Sequence, residues 1–343
     1  MGQLRQRSRI WVSLEIVTLT ARLASFLSRH ALLACLVVQA SLLLPAPGLL
    51  PVWGDEDFTL LTASQPVAGV LKTAAQEKNN PPLHSLLVHY WLLLPWPAPK
   101  AAASRALSAL TALAATVVID RLFLKGLDVR ARLWFLALWA VSPCLLLCAR
   151  IGRSYSLQVL VFACALGAAA RLLEEPGNKR RSLLYGAWNA LLLYVHYLSG
   201  TALAAGVTCL LAWRAFRLRR SKELAAGGLS LGLVVLLYLP WLPHFREALG
   251  RMAGAQPPPA AAGAAWSGII RLGYLGFSFV LGETPPSWVM ACAPVALSGA
   301  AYLAWRGARP APRWLAPAAL AAVAAYWAAG RWVSFVFIPA RVL

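Results

Sequence analysis

Apolar runs close to the ~20 residues that cross a bilayer recur along the whole chain. Short bursts of arginine and lysine interrupt them: Arg5/Arg7/Arg9, Arg121/Lys125/Arg130/Arg132, Lys179/Arg180/Arg181, Arg214/Arg217/Arg219/Arg220/Lys222 and Arg306/Arg309/Arg313. Membrane proteins keep such cations in cytoplasmic loops. With the bursts placed inside, the pattern predicts an all-α, polytopic transmembrane helical bundle of about nine spans, at 31–50, 102–120, 133–149, 154–173, 183–197, 199–213, 224–243, 288–305 and 314–330. Residues 1–30 then form a cytoplasmic basic segment whose 9–29 stretch is an amphipathic surface helix. The apolar run that starts near residue 31 is read as an uncleaved signal-anchor. Residues 31–343 form a single membrane domain with a first outer loop at 53–101 and a large outer loop at 244–287.

Two outer stretches are apolar without crossing. Residues 81–97 are short, carry His84 and His89, and lie between Pro81-Pro82 and the prolines at 95–99. If they crossed, every later basic burst would fall outside. The segment is therefore expected to be a helix lying in the outer leaflet, and 265–282 is read in the same way. The Pro257-Pro258-Pro259 run and the alanine-rich tract after it supply no core.

Composition agrees with this picture. The chain is 60% hydrophobic and 13% charged, against about 25% charged residues in soluble domains. Its net charge of +20 falls in the inter-span bursts, which argues against a nucleic-acid partner. The six cysteines all sit inside apolar runs, where cysteine is usually a small packed hydrophobe. No internal repeat is evident.

Chemistry concentrates in the first outer loop. The chain has 12 acidic residues, and three stand together at Asp55-Glu56-Asp57, just beyond the first span. Asp55 and Glu56 are expected to have their backbone held by a helix and their side chains in water. There a carboxylate beside like charge and apolar surface has the proton affinity of a general base. The alternative is a solvated cluster that only marks a helix end. Glu77-Lys78-Asn79-Asn80 precedes the rigid Pro81-Pro82, and Lys78 could meet a phosphate or simply snorkel at the interface. Arg150 and Arg153 stand on the outer side, against the charge rule. They suit either a lipid phosphate or pairing with the Asp55 cluster. His196-Tyr197 forms the outer tip of a hairpin, where interfacial packing competes with function.

Taken in order, these segments resemble the GT-C glycosyltransferases, most closely glycosyltransferase family 39, which holds the protein O-mannosyltransferases and the aminoarabinose transferase of lipid A. The matching stretches are Asp55-Glu56, Pro81-Pro82-Leu83 running into His84–Trp91, Ser104-Arg105-Ala106-Leu107-Ser108, Ser142-Pro143, Ala149-Arg150-Ile151-Gly152-Arg153-Ser154-Tyr155-Ser156-Leu157, and His196-Tyr197. The likeness covers roughly residues 30–200. It departs from the family at Asn80, where relatives often carry histidine or a Glu-Lys pair directly before Pro-Pro-Leu. Relatives also continue beyond the position of Leu343, so a truncated or shortened member is expected.

The resemblance implies transfer of a sugar, with inversion, from a polyprenyl-phosphate donor to an acceptor hydroxyl on a glycan, lipid or protein at the extracytoplasmic face. Asp55 would be the base and Glu56 its support. Arg150, Arg153 and Lys78 would hold the lipid phosphate, and Asn80, His84, Tyr155, His196 and Tyr197 would line the substrate site. A divalent metal ion is left open as a cofactor: His84, His89 and His244 are candidate ligands with Glu77 or the Asp55 cluster, but no spacing fixes a set. Composition suits a bacterial inner membrane with the site facing the periplasm or exterior. A non-catalytic lipid-sugar carrier or scaffold of the same fold is the competing reading. An ion or solute transporter ranks below it, because most ionisable residues sit at span ends rather than at the midplane.

Overall fold

The computed structural model describes residues 30–253 except Ala46, Leu50, Lys78, Asn79 and Arg220. The expected surface helix at 9–29, the apolar stretch 265–282 and the spans at 288–305 and 314–330 lie outside the described residues. Among the described residues all regular structure is helical.

Prolines punctuate the first half. Helix α1 (His30–Leu43) ends ahead of Pro45 and Pro47, short of the 31–50 expected from hydropathy, because proline cannot continue a helix. Then come α2 (Gly54–Ala63), α3 (Val67–Gln76) directly after Pro66, α4 (Pro82–Leu92) and α5 (Lys100–Ile119) directly after Pro99. Proline is tolerated at or before the first helical turn, whose N–H groups have no intrahelical partner. Helix α5 runs on through a π turn, Asp120–Leu124. Helices α6 (Val129–Ala140) and α7 (Pro143–Arg150) are bent by 46° at their junction. Pro143 forces Ser142 out of the helical region, to ψ 118°. Helices α8 (Tyr155–Glu174), α9 (Lys179–Val195), α10 (Tyr197–Leu218) and α11 (Ser221–Tyr238) complete the bundle. A 3-10 turn at Leu239–Trp241 leads into α12 (Leu242–Ala253). Side-chain caps set the starts of α6, α9 and α10: Asp128 accepts from the N–H groups of Arg130 and Ala131, Asn178 from those of Arg180 and Arg181, and His196 from that of Ser199.

Four helical stretches are long and apolar enough to cross a membrane: Lys100–Leu124, Tyr155–Glu174, Tyr197–Leu218 and Ser221–Arg251. The bent pair α6–α7 makes a fifth if it is counted as one span. The hydropathy pattern places seven spans in the same region. The two that fall short are α1 and α9. The latter has 17 residues and starts on Lys179, Arg180 and Arg181, so its apolar part covers less than the ~30 Å hydrocarbon core. Helix α4 has 11 residues, roughly 16 Å at 1.5 Å per residue, too short to cross. Its Tyr90 is exposed, as are Leu93 just beyond its end and Trp134, Phe216 and Leu236 elsewhere. Large apolar side chains pointing outward are what a lipid-facing surface requires.

Two ends of the bundle differ in charge. Ala31 and Cys35 pack with Leu124, Leu136 and Ala140. A methyl group at Gly167 would meet Leu122, one at Gly177 would lie 3.5 Å from Lys222, and Arg214 Nη1 donates to the Leu173 carbonyl at 2.6 Å. These contacts bring the 120–132, 174–181 and 214–222 segments to one end, and the basic bursts of the described chain come with them. At the opposite end Ala74 packs with Leu193, Tyr197, Tyr238, Trp241 and Ala248, and Leu83 packs against Leu157 and Val195. Helices α2, α3, α4 and α12 cover this end, which carries Asp55–Asp57. Between the two ends α9 and α11 approach closely at Gly186, where a Cβ would lie 2.8 Å from the Ser230 carbonyl. Only glycine lets the backbones meet there.

Candidate functional site

The N-terminus of α2 carries Asp55, Glu56 and Asp57 in its first turn, where the helix dipole favours carboxylates. Neighbouring helical residues point about 100° apart, and here the difference separates their roles. The Asp55 side chain is 67% exposed, whereas Glu56 is fully buried and its partner Arg105 is 3% exposed. The expectation that both carboxylates meet water therefore holds for Asp55 and is corrected for Glu56.

Glu56 and Arg105 form a complete buried clamp. Arg105 Nε donates to Glu56 Oε1 at 2.7 Å and Nη2 donates to Oε2 at 2.6 Å. The Gly152 N–H donates to Oε1 at 2.8 Å. Arg105 also donates to the Pro47 carbonyl at 2.6 Å and the Pro51 carbonyl at 2.9 Å. A buried ion pair offsets its desolvation only when geometry is good and the remaining donors and lone pairs are used, and both conditions are met. The clamp joins the loop after α1, the start of α2, the start of α5 and the turn between α7 and α8. Gly152 is required for closure, since a Cβ there would fall 2.6 Å from Ser104 Oγ and 2.9 Å from Glu56 Oε1.

That turn delivers Arg153 to Asp55. Arg153 Nη1 donates to the Asp55 carbonyl at 2.9 Å and to Thr59 Oγ1 at 3.0 Å. Thr59 Oγ1 in turn donates to the Asp55 carbonyl at 3.1 Å. The Asp55 carboxylate stands further off, with Oδ2 3.8 Å from Arg153 Nη2. Arg153 is thus anchored mainly to the backbone of α2, and the Asp55 oxygens stay available to a ligand. Of the two readings of the outer arginines, Arg153 pairs with the acid cluster. Arg150 is half-buried and makes no ion pair or hydrogen bond among the described residues.

Tyr155 and His84 flank the same guanidinium. The Tyr155 hydroxyl lies close enough to Arg153 to feel its charge. His84 is buried in α4, and burial, reinforced by the charge of Arg153, lowers its imidazole to about 3. It stays neutral at working pH and can orient a polar group without carrying charge. The unfolded chain takes up this proton below about 6.5 while the folded chain does so only near 3. Stability held above pH 6.5 is therefore lost as pH falls through that window, by at most about 1.4 kcal/mol per pH unit. A His84→Gln variant should show a shallower loss of thermal stability between pH 6.5 and 4, and an unchanged acid limb would contradict this assignment.

The other candidates lie apart from this cluster. His196 caps α10, its Nδ1 accepting from the Ser199 N–H at 3.3 Å, and Gln158 Nε2 donates to Ser199 Oγ at 2.6 Å. Tyr197 is buried, accepts from Trp241 Nε1 at 2.8 Å and packs on Phe245. It is thereby a core residue of the region beneath α12. This region meets the Asp55 cluster through Leu83 packed on Val195. Asn80 Nδ2 donates to Glu77 Oε2 at 3.4 Å, and Lys78 lies outside the described residues. His89 Nδ1 contacts the Ala63 carbonyl at 2.8 Å, and His244 packs on Trp241. The three histidines suggested as metal ligands are thus held in separate contacts. Among the described residues no group of three or more His, Cys, Asp or Glu side chains is placed to hold a metal ion.

Hydropathy alone passed over Arg105, Thr59, Ser104 and Gly152. Arg105 did leave a signal, a lone arginine in an alanine-rich span, which demands a buried partner. Compared with known proteins, the chain matches no family model, no curated protein and no solved structure.

Proposed function

We propose that this chain is an integral-membrane glycosyltransferase of the GT-C type, similar to family 39, which moves a sugar from a polyprenyl-phosphate donor to an acceptor hydroxyl. The observation that carries this reading is the exposed Asp55 carboxylate, held beside Arg153 by a rigid buried clamp at the end of the bundle away from the basic bursts. Asp55 takes the proton of the acceptor hydroxyl as its oxygen attacks the anomeric carbon from the face opposite the phosphate. The bond between that carbon and the phosphate oxygen breaks, its electron pair leaves with the lipid phosphate, and the anomeric centre inverts. Arg150, which has no protein partner among the described residues, meets the developing phosphate charge, with Lys78 as a second cation. Arg153 steadies Asp55 and turns its remaining donors toward the same anion. Glu56 acts through Arg105 and Gly152 as a positioning residue. His84 and Tyr155 stand beside Arg153, while Asn80, His196 and Tyr197 lie apart from it and only support the fold around the site.

In this reading α1, α5, α6–α7, α8, α9, α10 and α11 are seven of about nine spans, and 288–305 and 314–330 supply the rest. The site faces the exterior of a bacterial inner membrane. Transfer of labelled sugar from polyprenyl-phosphate donors, in membranes holding the chain or its Asp55→Asn form, is the direct test. Label movement that needs the protein but not Asp55 would instead favour a lipid-sugar carrier.

A further inference from the structure

At the end opposite the candidate site, the turn between α8 and α9 lies against the turn between α10 and α11. Gly177 faces Lys222, and Arg214 reaches across to the Leu173 carbonyl. Lys179, Arg180, Arg217, Arg219 and Lys222 are all exposed there. Of the acidic side chains nearby, Glu174 and Glu175 both pair with Arg181, at 3.4 and 3.1 Å, and Glu223 is buried. Carboxylates of the described residues therefore leave the five exposed cations without an ion pair. The patch also has an apolar rim: Trp213 is 56% and Phe216 88% exposed, and the Arg217 guanidinium lies 5.8 Å from the centre of the Trp213 ring. Arg219 has φ 51°, a left-handed turn that ends α10 and carries the chain sideways instead of along the helix axis.

We infer that this patch is a docking surface for anionic phospholipid headgroups in the leaflet on the basic side. Aromatic side chains at a membrane helix end sit at headgroup depth, and here they place unpaired guanidinium and ammonium groups at the level of lipid phosphates. Such a patch differs from a merely cytoplasmic loop because its cations are clustered on two adjoining turns and fixed by the Arg214–Leu173 and Arg217–Trp213 contacts. A soluble acidic partner would not need Trp213 and Phe216 turned outward beside the cations; a lipid does. The inference does not depend on the glycosyltransferase reading.

The test uses the full chain reconstituted in phosphatidylcholine vesicles containing a minor share of phosphatidylglycerol. Spin-labelled phosphatidylglycerol and phosphatidylcholine report which lipid is held at the protein surface. The unaltered chain should prefer phosphatidylglycerol, and the preference should shrink as salt rises. Each cation near an anionic surface changes retention by about fivefold, so the Arg217→Gln/Arg219→Gln/Lys222→Gln variant should lose most of the preference. Arg246→Gln, an exposed cation on α12 at the other end, should keep it. No preference in the unaltered chain, a preference indifferent to salt, or full retention in the triple variant would each overturn the proposal. The salt series needs no variant, so the outcome stands even if the triple variant folds poorly.

Discussion

If the proposed transferase reading holds, Asp55→Asn should lower sugar transfer by roughly 10²–10⁴-fold, the usual contribution of a positioned general base, while leaving expression and thermal stability close to the parent. The two halves of this expectation rest on different contacts. Asparagine keeps the shape of aspartate but cannot take a proton from a hydroxyl. The fold gains little from the carboxylate itself, because Arg153 is held by the Asp55 carbonyl and Thr59 Oγ1, both of which survive the change. The carboxylate's own link to Arg153 is long, at 3.8 Å, and mostly exposed, and exposed pairs of this kind contribute about 0–1 kcal/mol. An initial-rate assay on membranes matched for protein content separates the outcomes. Equal transfer by both forms would remove Asp55 as the base, whatever else the chain does.

Glu56 should behave in the opposite way. Glu56→Ala and Arg105→Ala are each expected to destabilise the fold by about 3–5 kcal/mol, because each leaves a buried charge without its partner. The double variant Glu56→Leu/Arg105→Met should recover much of that loss, since apolar side chains of similar volume can replace a buried pair. Sugar transfer would not return with it if the clamp also fixes the Arg153 turn. Thermal unfolding in detergent measures the first effect and the transfer assay the second. Single variants that melt with the parent would show that the clamp contributes nothing to holding α2 on α5. A double variant that is both stable and active would reduce Glu56 and Arg105 to packing.

How far the sequence could be read depended on the range of the interaction. The apolar runs and basic bursts located α5, α8, α10 and α11, because crossing a bilayer is a property of each segment alone. The short helix within 81–97 was also legible, since prolines bracket the stretch. Helix α1 ended earlier than hydropathy suggested, because apolar Leu44, Leu49 and Val52 alternate with prolines and hydropathy takes no account of the missing N–H. At the site, the clustering of carboxylates and the odd placement of Arg153 marked two segments that the fold does bring into contact. The division of labour between Asp55 and Glu56 could not be read. They are adjacent, and which of them turns inward is decided by Arg105, 49 residues away, and by Gly152, 96 residues away. Tyr197 illustrates the same limit: a tyrosine at a hairpin tip reads as an interfacial belt until Trp241 closes over it.

Those separations also set a schedule for biosynthesis. The ribosome makes Glu56 first, then Arg105, and completes the oxygen shell of Glu56 only after Gly152 has emerged. Until Arg105 is made the nascent chain carries an unmatched acid, and until Gly152 follows, Glu56 Oε1 still lacks one of its donors. The 53–101 loop therefore cannot lock fully before Gly152 has been made. Chains stalled before Gly152 should leave 53–101 open to protease, and chains stalled well after it should protect the same loop. Membrane insertion and folding of this protein would then be separated by nearly one hundred residues of translation, an interval in which quality-control proteases have their best opportunity.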